Sequence, residues 1–149
     1  MPVSAALSLT GVTLEYPDGE GTLKALDNVS LHVPAGRILS LTGPSGSGKS
    51  SLLAVSATLI RPTAGRVEVA GVDTSTLDDA GRTTLRRGKV GLIFQQPNLL
   101  PSLTAAEQLI ITDRLRGVHA SASAARAMEL LDLVGLASAA NKRPHQLSG

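Results

Sequence analysis

Polar and apolar residues alternate through Val29, Leu31 and Val33, which puts all three on one face of a strand, and Pro34-Ala35-Gly36 ends it as a turn. Arg37 to Thr42 (R-I-L-S-L-T) is a short, mostly apolar run that predicts a buried strand. Gly43 to Gly48 is a glycine-rich loop, and Ser50 to Ile60 then reads as a helix. Pro62 and Gly65 punctuate the chain before Val67 and Val69, another alternating strand, and Lys89 to Gln95 (K-V-G-L-I-F-Q) is a second short apolar one. After Pro101 the pattern turns helical. Thr104 and Glu107 have capping-box spacing ahead of Leu109, Ile110 and Leu115, and the Ala- and Leu-rich run Ala124 to Val134 stops at Gly135, a C′ residue. No repeat or low-complexity linker interrupts this order.

The 149 residues suffice for one domain and not for two comfortable ones. At 42% hydrophobic and 17% charged, the composition is that of a globular chain. The absence of Cys excludes a disulfide scaffold, a Cys-ligated zinc site and a thiol nucleophile, and fits a reducing compartment. The net charge is only +2 and the 14 Lys and Arg are dispersed, so no nucleic-acid partner is expected. Tyr16 and Phe94 are the aromatic residues, too few for a platform on which single-stranded bases stack. The longest apolar run, Leu52 to Ile60, falls far short of the ~18–20 residues that cross a bilayer. No basic n-region opens the chain, so a cleaved signal peptide is not expected.

Gly43-Pro44-Ser45-Gly46-Ser47-Gly48-Lys49-Ser50 matches G-x-x-x-x-G-K-[ST] between an expected strand and an expected helix. Glycines let successive backbone N–H groups converge on a phosphate, and the helix adds roughly half a positive charge at its N-terminus. Lys49 is placed to reach the β- and γ-phosphates of a nucleotide, and the Ser50 hydroxyl to ligate Mg²⁺. The loop does not itself separate kinases, GTPases and ATPases. Asp78-Asp79-Ala80-Gly81 formally fits the DxxG of a GTPase but reads better as a polar helix start, and Asn141-Lys142-Arg143-Pro144 fails NKxD at Pro144. A GTPase is disfavoured.

These stretches resemble the nucleotide-binding domain of ATP-binding-cassette transporters. Tyr16, in L-E-Y-P-D-G, sits where that family keeps an aromatic against adenine. Gly43 to Ser51 is similar to its phosphate loop, with Ser51 where Thr is usual. V-G-L-I-F-Q-Q-P-N-L-L-P-S-L-T-A-A-E resembles its glutamine loop and makes Gln95 the family glutamine. P-H-Q-L-S-G, Pro144 to Gly149, resembles the start of its LSGGQ signature. Within the family, the wording from Gln95 to Leu100 is most similar to the lipoprotein-release and macrolide-export group. On the residues alone, Tyr16 is equally a half-buried strand tyrosine, Gln95 a solvent-facing loop glutamine, and Leu147-Ser148-Gly149 an ordinary turn. His119 and His145 have no partner at ligand spacing.

The resemblance implies an α/β phosphate-loop fold: a parallel sheet core holding the loop, an antiparallel β portion at the N-terminus, and helices after the glutamine loop. Residues 1–149 would be the N-terminal portion of one such domain, with a core subdomain over about 1–95 and a helical one over about 96–149. The cofactors it implies are ATP and Mg²⁺, the nucleotide held by Tyr16, Gly43, Pro44, Ser45, Gly46, Ser47, Gly48, Lys49, Ser50 and Ser51, and the metal by Ser50 and Gln95. Leu147, Ser148 and Gly149 would act on the ATP of a second copy or a homologous subunit. Membrane-spanning permease subunits would hold the protein on the inner face of the cell membrane. A soluble cassette working on nucleic acid or ribosomes, or a nucleotide-binding module without hydrolysis, are the rival readings. In the family the metal-binding and catalytic carboxylates and a switch histidine follow the signature, so the chain reads as truncated and, alone, as unable to turn over ATP. Asp113, after the apolar Leu109-Ile110-Ile111, is the nearest imitation of the missing acid, but Thr112 breaks the run and Arg114 stands where an acid is wanted.

Overall fold

A computed structural model describes residues 5–19, 21–96 and 98–147. They divide into two compact units, Met1–Leu92 and Ile93–Gly149.

The first unit is built on a sheet of order β2-β1-β3-β4, with β1 Ala5–Asp18, β2 Gly21–Pro34, β3 Ala64–Val69 and β4 Val72–Asp73. Every pairing is antiparallel. Leu9 lies opposite Leu31 of β2 on one side and Val67 of β3 on the other, so β1 is the central strand. The expected strand at Val29–Val33 is the end of β2, and the turn after it closes with Arg37 N–H donating to the Pro34 carbonyl at 3.3 Å. Helix α1, Lys49–Ser56, lays Leu52 and Val55 against Leu9, Val12, Leu14, Leu26, Val67 and Val69. Helix α2, Asp79–Lys89, adds Leu85 to the same core. The Asp78 carboxylate accepts from the Gly81 N–H at 2.7 Å as the α2 cap, which is the helix-start reading of Asp78-Asp79.

Two expectations fail here. Arg37–Thr42 and Lys89–Gln95 are not strands, and no parallel pair occurs among the described residues. Lys89 closes α2 instead, and Ile38 and Ile93 are 100% and 97% exposed. The physical reason lies in what a parallel strand requires. Its backbone N–H and C=O groups are satisfied only by neighbouring strands, and neither segment has one here. Apolar content made both runs look buried, but content cannot supply a neighbour. The helix expected over Ser50–Ile60 is also shorter, because Thr58 turns left-handed at φ 59° and ends α1.

The second unit packs α3, Ala105–Leu115, with α4, Ala120–Leu133. The capping box forms as expected: Thr104 Oγ1 accepts from the Glu107 N–H at 3.3 Å, and the Glu107 carboxylate accepts from the Thr104 N–H at 2.8 Å. Two further first-turn amides, those of Ala105 and Ala106, donate to the Lys142 and Ala140 carbonyls. At the far end of α4, Gly135 N–H reaches the Asp132 carbonyl and Leu136 N–H the Leu131 carbonyl, the two bonds of a Schellman close. The Gln108 amide donates to the Leu100 carbonyl at 2.6 Å, tying α3 to the segment before it.

The Thr104 N–H, then its hydroxyl, hold the Glu107 carboxyl below its ordinary value of 4.5. A depressed carboxyl contributes stability that is complete above the unfolded value and is lost as pH falls through the folded one. Acidification below about 4.5 is therefore expected to fray the start of α3 first. Thr104→Ala should do the same at neutral pH, costing about 1 kcal/mol. Amide exchange at Glu107 reads both effects; a rate unchanged by the substitution removes the cap from the account.

Candidate functional site

The glycine-rich loop connects residues 37–42 to α1, and its backbone is set by three glycines. Gly43, Gly46 and Gly48 have φ of 153°, 81° and 85°. Gly48 is the N-cap of α1, and a Cβ built on it meets the Ala25 carbonyl oxygen of β2. Only a residue without a side chain lets the loop and β2 approach this closely. Leu52 N–H donates to the Gly48 carbonyl at 2.8 Å and starts the helical ladder.

Among the described residues, the Ser47 N–H donates within the loop to the Pro44 carbonyl at 3.4 Å, whereas the first-turn amides of Lys49, Ser50 and Ser51 have no such partner. α1 begins with no side-chain cap and no acidic residue in its first turn. The partial positive charge of that end is therefore uncompensated, in contrast to α2 and α3, which are capped by Asp78 and Thr104. Lys49 adds a full charge at the same place. Its ammonium donates to the carbonyls of Gly43 at 2.8 Å and Pro44 at 2.6 Å and to Ser47 Oγ at 3.2 Å. All three partners are neutral oxygens. Ser50 is exposed and Ser51 half-buried at the first turn, while Ser45 and Gly46 form the exposed tip. A cavity of about 300 Å³ runs along the loop, floored by Leu26, Val29 and Leu52, and among the described residues no Asp or Glu lines it. Lysine, uncapped amides and a hydroxyl converge with no anion of the protein's own, a donor set that fits a polyphosphate and its metal.

The other expected site residues are less concentrated. Tyr16 pairs with Leu23 across the β1–β2 hairpin and is 36% exposed, so part of its ring faces solvent. Gln95 is exposed in a bend at the start of the second unit. Leu147 follows a single 3-10 turn, Pro144–Gln146, and lines an apolar cavity of about 430 Å³ with Leu99, Leu109 and Leu131. Ser148 and Gly149 lie outside the described residues. Asp113 is in α3, 3.8 Å from Arg126 Nε, an ion pair within the second unit. The sequence reading missed Arg82 and Arg86 of α2, which both donate to the Thr58 carbonyl at the end of α1. Only the spacing of Arg82 ahead of the buried Leu85 marked it as inward-facing.

A lysine-bearing loop opening onto an uncapped helix is the defining element of the phosphate-loop nucleoside triphosphate-binding proteins. The chain belongs to the ABC transporter family, whose model matches residues 26–149. It is 41% identical over 145 residues to the lipoprotein-releasing system ATP-binding protein LolD 1 of Rhodospirillum rubrum, covering 97% of this chain and 64% of that protein. It is 42% identical over 147 residues to the macrolide export ATP-binding/permease protein MacB of Salmonella paratyphi A, covering 99% of this chain and 23% of that one. A solved ATP-binding cassette, dimeric and bound to ADP and Pi in a post-hydrolysis state, superposes with a TM-score of 0.87 at 39% identity, covering 95% of this chain and 63% of that chain. The chain thus spans less than two thirds of the length of these proteins.

Proposed function

We propose that the chain binds ATP with Mg²⁺ as part of the energy-coupling subunit of a membrane transporter. The observation that carries this reading is the junction at Gly48–Ser50, where Lys49 and an uncapped helix end meet without a carboxylate. Lys49 and the amides of Gly43, Ser45, Gly46, Ser47, Gly48, Ser50 and Ser51 hold the phosphates, with Pro44 shaping the turn between them. Ser50 would ligate the metal, and Tyr16 would offer its face to the base. The metal supplies charge to the phosphate oxygens when bound. Kinship with LolD and MacB supports permease subunits as partners and a peripheral place on the inner face of the cell membrane. The dimeric cassette supports pairing with a second copy, in which Leu147, Ser148 and Gly149 would act on the partner's nucleotide. No helix among the described residues is long and apolar enough to cross a membrane.

Titration of the chain with ATP, with and without Mg²⁺, tests the reading. Binding that saturates and strengthens with Mg²⁺ is expected, and none at millimolar nucleotide overturns it. Stacking reads a ring face rather than the edges of a base, so Tyr16→Ala should weaken ATP and GTP alike, by about 1–3 kcal/mol. Loss confined to one base means that other groups read its edge. Turnover requires a carboxylate for the metal and a group that orients water, and among the described residues no Asp or Glu lines the loop cavity. These 149 residues therefore bind ATP without sustained phosphate release. Release that continues past one equivalent and depends on Lys49 overturns this last point, and makes Asp113 the first acid to replace.

A further inference from the structure

The far end of α1, away from the phosphate loop, presents an unusual concentration of positive charge. Arg82 is only 5% exposed. One of its Nη atoms donates to the Thr58 carbonyl at 3.0 Å, and Arg86 donates to the same carbonyl at 2.9 Å. Arg82 Nε is buried with no partner. A buried guanidinium cannot shed its proton to relieve the cost, so it calls for an anion. None of the protein's carboxylates is bonded to it among the described residues. Asp79 is fastened to Arg61 at 2.9 Å, Asp78 caps α2, and Asp73 is held by Ser75 and Arg66. Burial, then the nearby Arg61, and also Arg86, push the Arg82 guanidinium below its usual value against the opposing pull of Asp79.

Beside this guanidinium lies a cavity of about 180 Å³, with Arg82 and Arg61 in its wall together with Thr74, Ser75 and the β3 residues Gly65 and Val67. At about 30 Å³ per water it has room for roughly six, or for one tetrahedral anion with part of its hydration. We propose that this pocket is a binding site for a small oxyanion, taken from solution and held by Arg82 and Arg61. Phosphate and carboxylate share the relevant chemistry, two oxygens accepting from a guanidinium fork. The site shares no lining residue with the nucleotide loop, since its residues come from the segment between α1 and β3, from β3 itself, from the turn after β4 and from α2.

The test uses the full chain carrying Lys49→Ala, so that phosphate at the loop does not obscure the result. Inorganic phosphate is titrated against ¹⁵N-labelled protein at constant ionic strength, with chloride as the control and acetate as the planar arm. Saturable shifts at the Thr74 and Ser75 amides are expected with phosphate and not with chloride. A response to acetate as well widens the site to carboxylates, whereas phosphate alone restricts it to tetrahedral anions. Arg61→Gln, at an exposed position, should weaken binding about tenfold or more while leaving the remaining spectrum in place. Arg82→Leu should abolish it; if that variant fails to fold, Arg61→Gln decides the matter. A linear, unsaturable response, an equal response to chloride, or unchanged affinity in Arg61→Gln overturns the site and leaves the cavity to water.

Discussion

Lys49→Ala is expected to weaken ATP binding by about tenfold to a hundredfold, with little change in the fold. The ammonium bonds only to neutral oxygens of its own loop, so its removal strands no carboxylate and leaves no buried charge unpaired. What is lost is a charge-assisted contact to phosphate, about 1.5–3 kcal/mol by comparison with hydrogen bonds to charged groups. Each 1.4 kcal/mol is about a factor of ten. The α1 N-terminus retains its uncapped amides, so residual binding should persist rather than vanish. Titration calorimetry of the variant reads the change directly, and circular dichroism verifies the fold. Unchanged affinity in a folded variant removes Lys49 from the phosphate site.

Gly48→Ala is the substitution with the largest expected effect on stability. A left-handed φ of 85° costs an L-residue about 1–2 kcal/mol. The added methyl also meets the Ala25 carbonyl, which is backbone and cannot rotate away, so β2 or α1 must move at a further cost of about 1–3 kcal/mol. Gly46→Ala supplies the comparison. Its φ is 81°, but nothing stands within 4 Å of the new Cβ, so only the conformational cost applies. The urea midpoint of Gly48→Ala should fall clearly below that of Gly46→Ala. Equal midpoints show that the loop is not pressed against β2.

The sequence made some elements legible because all their determinants are local. The Thr104–Glu107 box, the Gly135 close of α4 and the Gly43–Ser50 loop each complete themselves within a few residues, and each stands where the pattern puts it. Strand identity is different. Val67 and Val69 are buried because β1 lies beside them, whereas Ile38 and Ile93 have equal apolar character and no strand alongside. Alternation reports which face a side chain takes; it does not report who pairs with the backbone. Among the candidate site residues, the loop was legible because its glycines and its lysine are consecutive in the chain. Tyr16 and Gln95 depend on groups distant in the chain, and no local spacing singles them out. Arg82 escaped notice because a buried arginine looks like any surface charge until Thr58 turns its carbonyl toward it.

The pairing of β1 with two very different partners has a consequence for the order in which the first unit assembles. β2 follows β1 almost at once, so Asp18 meets Gly21 and the hairpin can zip from its turn within about 1–10 μs. β3 reaches β1 only by closing the chain between Leu7 and Val69, a span that includes the phosphate loop and α1. Closing such a loop carries an entropic cost that the hairpin avoids, and it is the slower event. Leu26 lies in the early pair, whereas Val67 joins only when the long loop closes. Leu26→Ala should therefore slow refolding, and Val67→Ala should mainly speed unfolding. The nucleotide loop then acquires its final shape late, carried into place by the docking of β3 against a hairpin already formed.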